Sequence, residues 1–454
     1  MSNKPRSIVK PLFVIVLTSA MIQLGSISFN VLTPVLASEF SAPISTVQWV
    51  IVGYMLTLAS VTPFAAWFSG RFGGRRVLLC CTALYGIMSL CAAWGANIHT
   101  LIAFRMLQGA VGAMTGPVGM AITYRLCDKD KVGRIMGIIG IPIFMTPAFG
   151  PMLAGWLADL GSWKTILYIN LPIVVIILVT GFIWLPKDER SVSARPDIAG
   201  MALAPLAFIS VIYGLQKVVS GGKINVGGIA VLLVGCAALY AFIKRELTCE
   251  NPILRLDLFR EKAFFRAVIL QTLSVLLIPG FLFLLPLFFQ NVNKWSAFTS
   301  GLIMLPISFA SVAGMPLGGV TYDKRGVNRV VSIGFGSTVC GMLAFLAVSG
   351  LQSAPLIICA FCVVGFGLGF YATSLSTHVL SQAPKELTED ASAINSAVIQ
   401  LFNAAAITVS TAILTLCSGF GAQRSYFYAF GITSLMSLCI LGLGILLTTR
   451  NPTQ

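Results

Sequence analysis

Apolar runs of about 20 residues follow one another along this chain, each long enough to cross a bilayer as a helix. They fall at roughly 11–36, 46–68, 77–95, 100–123, 134–158, 165–185, 198–216, 226–243, 263–289, 299–320, 330–349, 356–377, 393–418 and 425–447. The segment Lys244 to Lys262 is the longest polar connection. Of the 454 residues only 10% are charged and 57% are hydrophobic, whereas a soluble domain carries roughly 25% charged residues. The expected fold class is therefore an all-α polytopic membrane protein with 14 transmembrane helices.

The formal charge of +15 does not point to nucleic acid, because the lysines and arginines sit in short loops between apolar runs. Placing the N-terminus in the cytoplasm puts 24 of the 30 on one side and 5 on the other, with Arg105 inside a span. That bias orients both termini to the cytoplasm, and an even number of spans agrees. The first apolar run lacks a small-residue cleavage site and reads as an uncleaved span. Short loops with a strong charge bias suit a bacterial plasma (inner) membrane.

Several functions are excluded. Nine of the eleven cysteines fall in apolar runs, and the two histidines, His99 and His378, have no cysteine at metal-ligand spacing. No metal and no cofactor is expected. No phosphate-binding loop of the GxxxxGK[ST] type is present, so ATP-driven pumping has no support. The spans hold no nucleophile, base and acid cluster, so an enzyme is not expected.

Three stretches carry a more specific message. Pro147 to Pro172 reads PAFGPMLAGWLADLGSWKTILYINLP. Pro147, Gly150, Pro151 and Gly155 make a kinked, side-chain-poor helix that lets a second backbone approach closely. Span 4 holds Arg105, Gln108 and Gly109 in an R-x-x-Q-G pattern. Gly70 to Arg76 (GRFGGRR) and Gly318 to Arg329 (GGVTYDKRGVNR) are corresponding Gly- and Arg-rich loops after spans 2 and 10, so the chain repeats.

These stretches resemble the antiporter motif, the span-4 motif and the loop motif of the fourteen-span drug:proton antiporters of the major facilitator superfamily. The resemblance runs over nearly the whole chain. It implies two six-helix bundles, residues 1–190 and 263–454, with two inserted helices and a cytoplasmic linker at 191–262. It also implies export of small amphiphilic molecules by alternating access, driven by proton antiport, as a multidrug efflux protein acting as a monomer. Pro147, Gly150, Pro151, Gly155, Asp323, Arg325, Arg329, Arg75 and Arg76 are the implied conformational residues.

The chain departs from the family pattern in two places. The first loop copy has Gly70 where the family has Asp and Gly74 where it usually has Arg, whereas the second copy keeps Asp323. In span 1 the family pattern L-D-x-T-I-V-N-x-x-x-P falls on LGSISFNVLTP, which keeps Leu24, Asn30 and Pro34 but puts Gly25 at the acidic position. Thirteen of the fifteen carboxylates lie in inside loops, and Glu39 and Asp159 lie at the outer ends of spans 1 and 5. The membrane interior is left with one positive charge, Arg105. A lone arginine there has to be paired or face a wet cavity, so Arg105 either fixes packing through groups of span 1 such as Asn30 or handles substrate and protons.

A mid-membrane arginine without an acid favours anionic or neutral substrates over lipophilic cations. The alternative function is thus an exporter or uniporter of an anionic or neutral metabolite without coupling through a mid-membrane acid. A sensor or scaffold on the same fold is a third reading. The candidate substrate and proton pathway comprises Arg105, Gln108, Asn30, Gln271, Tyr371, Gln400, Asn403 and His378. The partners expected are a small-molecule substrate, protons and the lipid bilayer, with no nucleic acid.

Overall fold

The computed structural model describes residues 9–126, 146, 149–186, 198–219, 225–249, 254–351, 353–384 and 387–449. They form helices and short connections, with no strand among them. In chain order these are α1 (Val9–Ile27), α2 (Phe29–Glu39), α3 (Ile44–Val47), α4 (Trp49–Val61), α5 (Ala65–Phe72), α6 (Gly74–Ala93) and α7 (Ile98–Leu126). Residues 149–160 form α8. Then come α9 (Thr165–Tyr168), α10 (Asn170–Trp184), α11 (Ile198–Val219), α12 (Val226–Thr248), α13 (Lys262–Leu277), α14 (Pro279–Asn291), α15 (Ala297–Leu302), α16 (Leu305–Val348), α17 (Ala354–Ser381), α18 (Thr388–Cys417) and α19 (Ala422–Thr449).

Eleven segments among the described residues are long and apolar enough to cross a membrane. The longest, Ala297–Val348, has 52 residues and would extend to about 78 Å as one rod, more than twice the hydrocarbon thickness of about 30 Å. The chain turns back inside it at Gly326, whose φ of 71° and ψ of −179° interrupt α16. Glycine adopts this backbone conformation without a Cβ clash. That loop is the second Gly- and Arg-rich repeat. Between α13 and α14 the helix breaks at Ile278 (φ −124°), the residue before Pro279, where helical backbone is disfavoured.

Packing follows the small residues. A Cβ on Gly365 or Gly369 of α17 would lie 2.0 Å from the Ile307 carbonyl oxygen or 1.8 Å from that of Ser311. In lipid, where apolar helices gain nothing by merely avoiding water, such close backbone contact is a main source of helix association. The α13–α19 group is centred on aromatic rings: Phe281, Phe345 and Phe430 meet mutually at centroid distances of 5.1–5.4 Å. The α11–α12 hairpin joins the rest through α11, which packs against both α4 and α18. Trp49 Nε1 donates to Gln216 Oε1, and Gln216 Nε2 donates to the Ser45 carbonyl. Tyr213 stands edge-on to Trp49 at 5.5 Å.

Candidate functional site

Arg105 is fully buried in α7 and ties that helix to α4 and α1. Its Nε donates to the Val50 carbonyl of α4 (3.2 Å), Nη1 to Gln108 Oε1 (2.7 Å) and Nη2 to the Gly25 carbonyl of α1 (2.7 Å). The guanidinium is held between the rings of Phe29 and Tyr54, 4.2 Å from each centroid. Gln108 Nε2 donates to Ser89 Oγ of α6 (2.5 Å), which also accepts from Asn170 Nδ2 of α10 (3.1 Å). Among the described residues no carboxylate bonds to Arg105. Carbonyl dipoles and aromatic faces offset the cost of burying its charge.

The span-1 partner of Arg105 is the backbone at Gly25, not the Asn30 side chain. Asn30 is half-buried, and its Oδ1 has no partner among the described residues. A Cβ at Gly25 would lie 2.1 Å from the Tyr85 hydroxyl oxygen and 3.8 Å from Arg105 Nη1. The space an acidic side chain would need is therefore filled by a tyrosine from α6, fully buried.

A second constellation joins the α1–α10 group to the α13–α19 group at the end of the bundle that carries Glu39. Asp159, at the end of α8, accepts from the Phe298 N–H (2.9 Å, Oδ2) and the Ala297 N–H (3.3 Å, Oδ1), the first backbone donors of α15. Such N–H groups are left without intrahelical partners and favour negative charge. The two backbones touch here: a Cβ on Gly155 would lie 2.3 Å from the Ala297 carbonyl oxygen, and one on Gly301 would lie 2.5 Å from that of Pro151. Nearby, Gln290 Nε2 of α14 donates to the Val31 carbonyl of α2 (2.8 Å). Gly150 is buried in α8 close to Leu24 of α1, and a Cβ there would meet its Cδ1 at 3.7 Å. Pro147 lies outside the described residues.

The other sequence candidates are dispersed. Gln271 is 3% exposed in α13, and its Oε1 has no partner among the described residues. Tyr371 of α17 is buried and donates to the Ser274 carbonyl at 3.4 Å. Gln400 and Asn403 are half-buried on α18. His378 lies at the opposite end, where its Nδ1 meets the Tyr322 hydroxyl at 3.1 Å, which in turn meets Ser381 Oγ at 3.2 Å. In the loops, Arg75 donates to the Phe182 carbonyl and lies over the Phe182 ring at 5.0 Å. Arg76 is likewise engaged. Asp323, Arg325 and Arg329 are exposed.

Neither Tyr54, Tyr85 nor the Asp159 contact is marked by sequence spacing, because each partner lies 20 or more residues away in the chain.

The comparisons agree with this architecture. The family model described as Major Facilitator Superfamily matches residues 15–407. The chain is 30% identical over 387 residues to the multidrug resistance protein B homolog of Mycobacterium tuberculosis (strain ATCC 25618 / H37Rv), covering 84% of this chain and 72% of that one. It is 27% identical to lincomycin resistance protein LmrB of Listeria monocytogenes serovar 1/2a (strain ATCC BAA-679 / EGD-e), covering 86% and 82%. It is 26% identical to the tetracenomycin C resistance and export protein of Streptomyces glaucescens, covering 84% and 71%. Among solved structures, the fold is similar to that of the POT family transporter PepTSo (TM-score 0.72, 15% identity, 99% of both chains). It is also similar to the xylose transporter XylE from E. coli (TM-score 0.66, 13% identity, 98% of both).

Proposed function

Given that the chain belongs to the Major Facilitator Superfamily, we propose that it exports small amphiphilic molecules from the cytoplasm by alternating access, as a proton-driven multidrug efflux transporter. The related resistance and export proteins support the direction and the breadth of substrate. The observation that carries the reading is the closure at the Glu39 end, where α8 meets α15 through Asp159 and the Gly155–Gly301 approach. With both termini on the cytoplasmic side, as the charge bias of the loops supports, that end is the outer one. Rocking of one six-helix bundle against the other would open it and close the opposite end.

The full reading is of fourteen crossings: six in residues 1–190, two inserted in 191–262 and six in 263–454. Its supports are the turn at Gly326 inside the longest segment and the helical character of residues 149–160. The inserted pair would act as a side cover, since α11 bridges α4 and α18.

The Gly25 site favours a second reading, transport of an anionic or neutral metabolite without coupling through a mid-membrane acid. Tyr85 fills the space beside Arg105 where such an acid would stand. Reconstitution into liposomes with an imposed pH gradient separates the two. Antiport predicts that amphiphile flux is accompanied by proton movement and that collapse of the gradient stops accumulation. Flux of anionic or neutral compounds with no proton movement rejects the coupled reading in favour of the second. No flux of any amphiphile rejects both.

A further inference from the structure

A cavity of about 140 Å³ lies between α11, α12, α18 and the short 3-10 turn Leu256–Arg260, away from the constellations described above. Every residue that lines it is apolar, among them Phe208, Phe242, Leu254, Leu256, Ala397 and Leu401. Its lining offers a polar ligand no side-chain hydrogen-bond partner. The cavity sits about two turns from the end of α12, one of the segments long and apolar enough to cross a membrane. Its margin is built differently from its walls. Lys244 follows the lining residue Ile243, Arg255 stands between Leu254 and Leu256, and Arg260 follows Phe259. All three cations are exposed, as are Asp257 and Glu261 of the same segment. Among the exposed groups named, Lys244, Arg255 and Arg260 outnumber Asp257 and Glu261 by one.

The floor of the cavity is held in place. Glu246 is 3% exposed near the end of α12, and its Oε2 accepts from the Leu254 N–H at 2.9 Å. This bond fixes the lining residue Leu254 against the end of α12.

We propose that this hollow binds an anionic phospholipid, with part of an acyl chain between α12 and α18 and the phosphate against Lys244, Arg255 and Arg260. An all-apolar wall suits an alkyl chain. Basic groups at the membrane surface attract anionic headgroups, and long basic side chains reach the interface while their stems stay on apolar surface. The site depends on the chain being a membrane protein and not on its substrate or on proton coupling.

Native mass spectrometry of delipidated, purified protein, titrated with phosphatidylglycerol or phosphatidylcholine, tests the proposal. The wild type should retain one phosphatidylglycerol with about ten-fold preference over phosphatidylcholine. Leu239→Phe with Val398→Phe, which fills the hollow, should abolish that retention. Lys244→Gln with Arg255→Gln and Arg260→Gln changes only exposed side chains. It should keep a bound lipid but bring the preference to within about two-fold. Equal binding of the two lipids by the wild type overturns the proposal, as does an unchanged preference in the rim variant. Displacement of phosphatidylglycerol from the wild type by a transported amphiphile, with loss of that amphiphile's flux in the filled variant, reassigns the hollow to substrate. Failure of transport alone bears on the proposed function and leaves the lipid titration as it stands.

Discussion

At the centre of the α1–α10 group lies a buried charge, and at the centre of the α13–α19 group lie phenyl rings. Arg105 is among the largest fully buried side chains of the molecule, as are Phe281, Phe335 and Phe345. The first group is held by directional bonds from one guanidinium to α1, α4 and α7, extended through Ser89 to α6 and α10. The second is held by edge-to-face ring contacts. Directional bonds fail together when their hub is removed, while ring packing gives way locally. The difference predicts one rigid group with a fixed polar hub and one group whose packing yields locally.

The largest expected effect is from Arg105→Ala. It leaves the Gly25 and Val50 carbonyls and Gln108 Oε1 buried without their donor, a loss of roughly 4 kcal/mol. Thermal unfolding in detergent should show a large fall in Tm, and Arg105→Lys should recover only part of it, since a lysine cannot bridge three helices. A Tm near wild type for Arg105→Ala would break the contrast between the two groups.

Next comes Gly25→Asp. The new Cβ would stand 2.1 Å from the Tyr85 hydroxyl, and overpacking of this kind costs about 1–3 kcal/mol. Adding Tyr85→Phe, which removes only the clashing hydroxyl, should recover part of the stability and leave a carboxylate beside Arg105. The double variant should then accept cationic amphiphiles better than the wild type in liposome flux. Absence of any stability rescue would show that Tyr85 is not what excludes a side chain at position 25.

Asp159→Asn weakens the bonds to the Ala297 and Phe298 N–H groups by about 1 kcal/mol. The equilibrium should shift about five-fold toward opening at the Glu39 end, read as faster alkylation of a cysteine placed at Thr299. The smallest expected effect is that of Gln271→Leu. With one amide oxygen already lacking a described partner, stability should change by less than about 1 kcal/mol, and substrate half-saturation in flux assays should rise. A Tm loss as large as that of Arg105→Ala would mean that the second group also has a polar hub.

Much of the architecture was legible because lipid imposes a simple rule: apolar runs become helices, and small residues mark where they touch. Gly155 could be read this way. Arg105 and Gln108 stood out because a charge in an apolar run has to be accounted for. The partners were not legible. Tyr54 and Tyr85 are ordinary residues in apolar helices, and only the packing of α4 and α6 against α7 brings them to Arg105. Nor could sequence show that Arg105 bonds to the backbone at Gly25 and not to Asn30, because every residue carries the same carbonyl. Asp159 read as a helix-end acid, and its partner is a helix start 138 residues away.

Alternating access requires opposite motions at the two ends of the bundle. Double electron–electron resonance in liposomes, with one spin-label pair at residues 160 and 299 and another at residues 72 and 324, measures both ends. The first pair should be short in the resting protein. Addition of a transported amphiphile should lengthen it in one population while the second pair shortens in the same fraction. If the first pair stays short under every condition, or both pairs lengthen together, the closure by Asp159 and the Gly155–Gly301 approach is a fixed joint and not a gate.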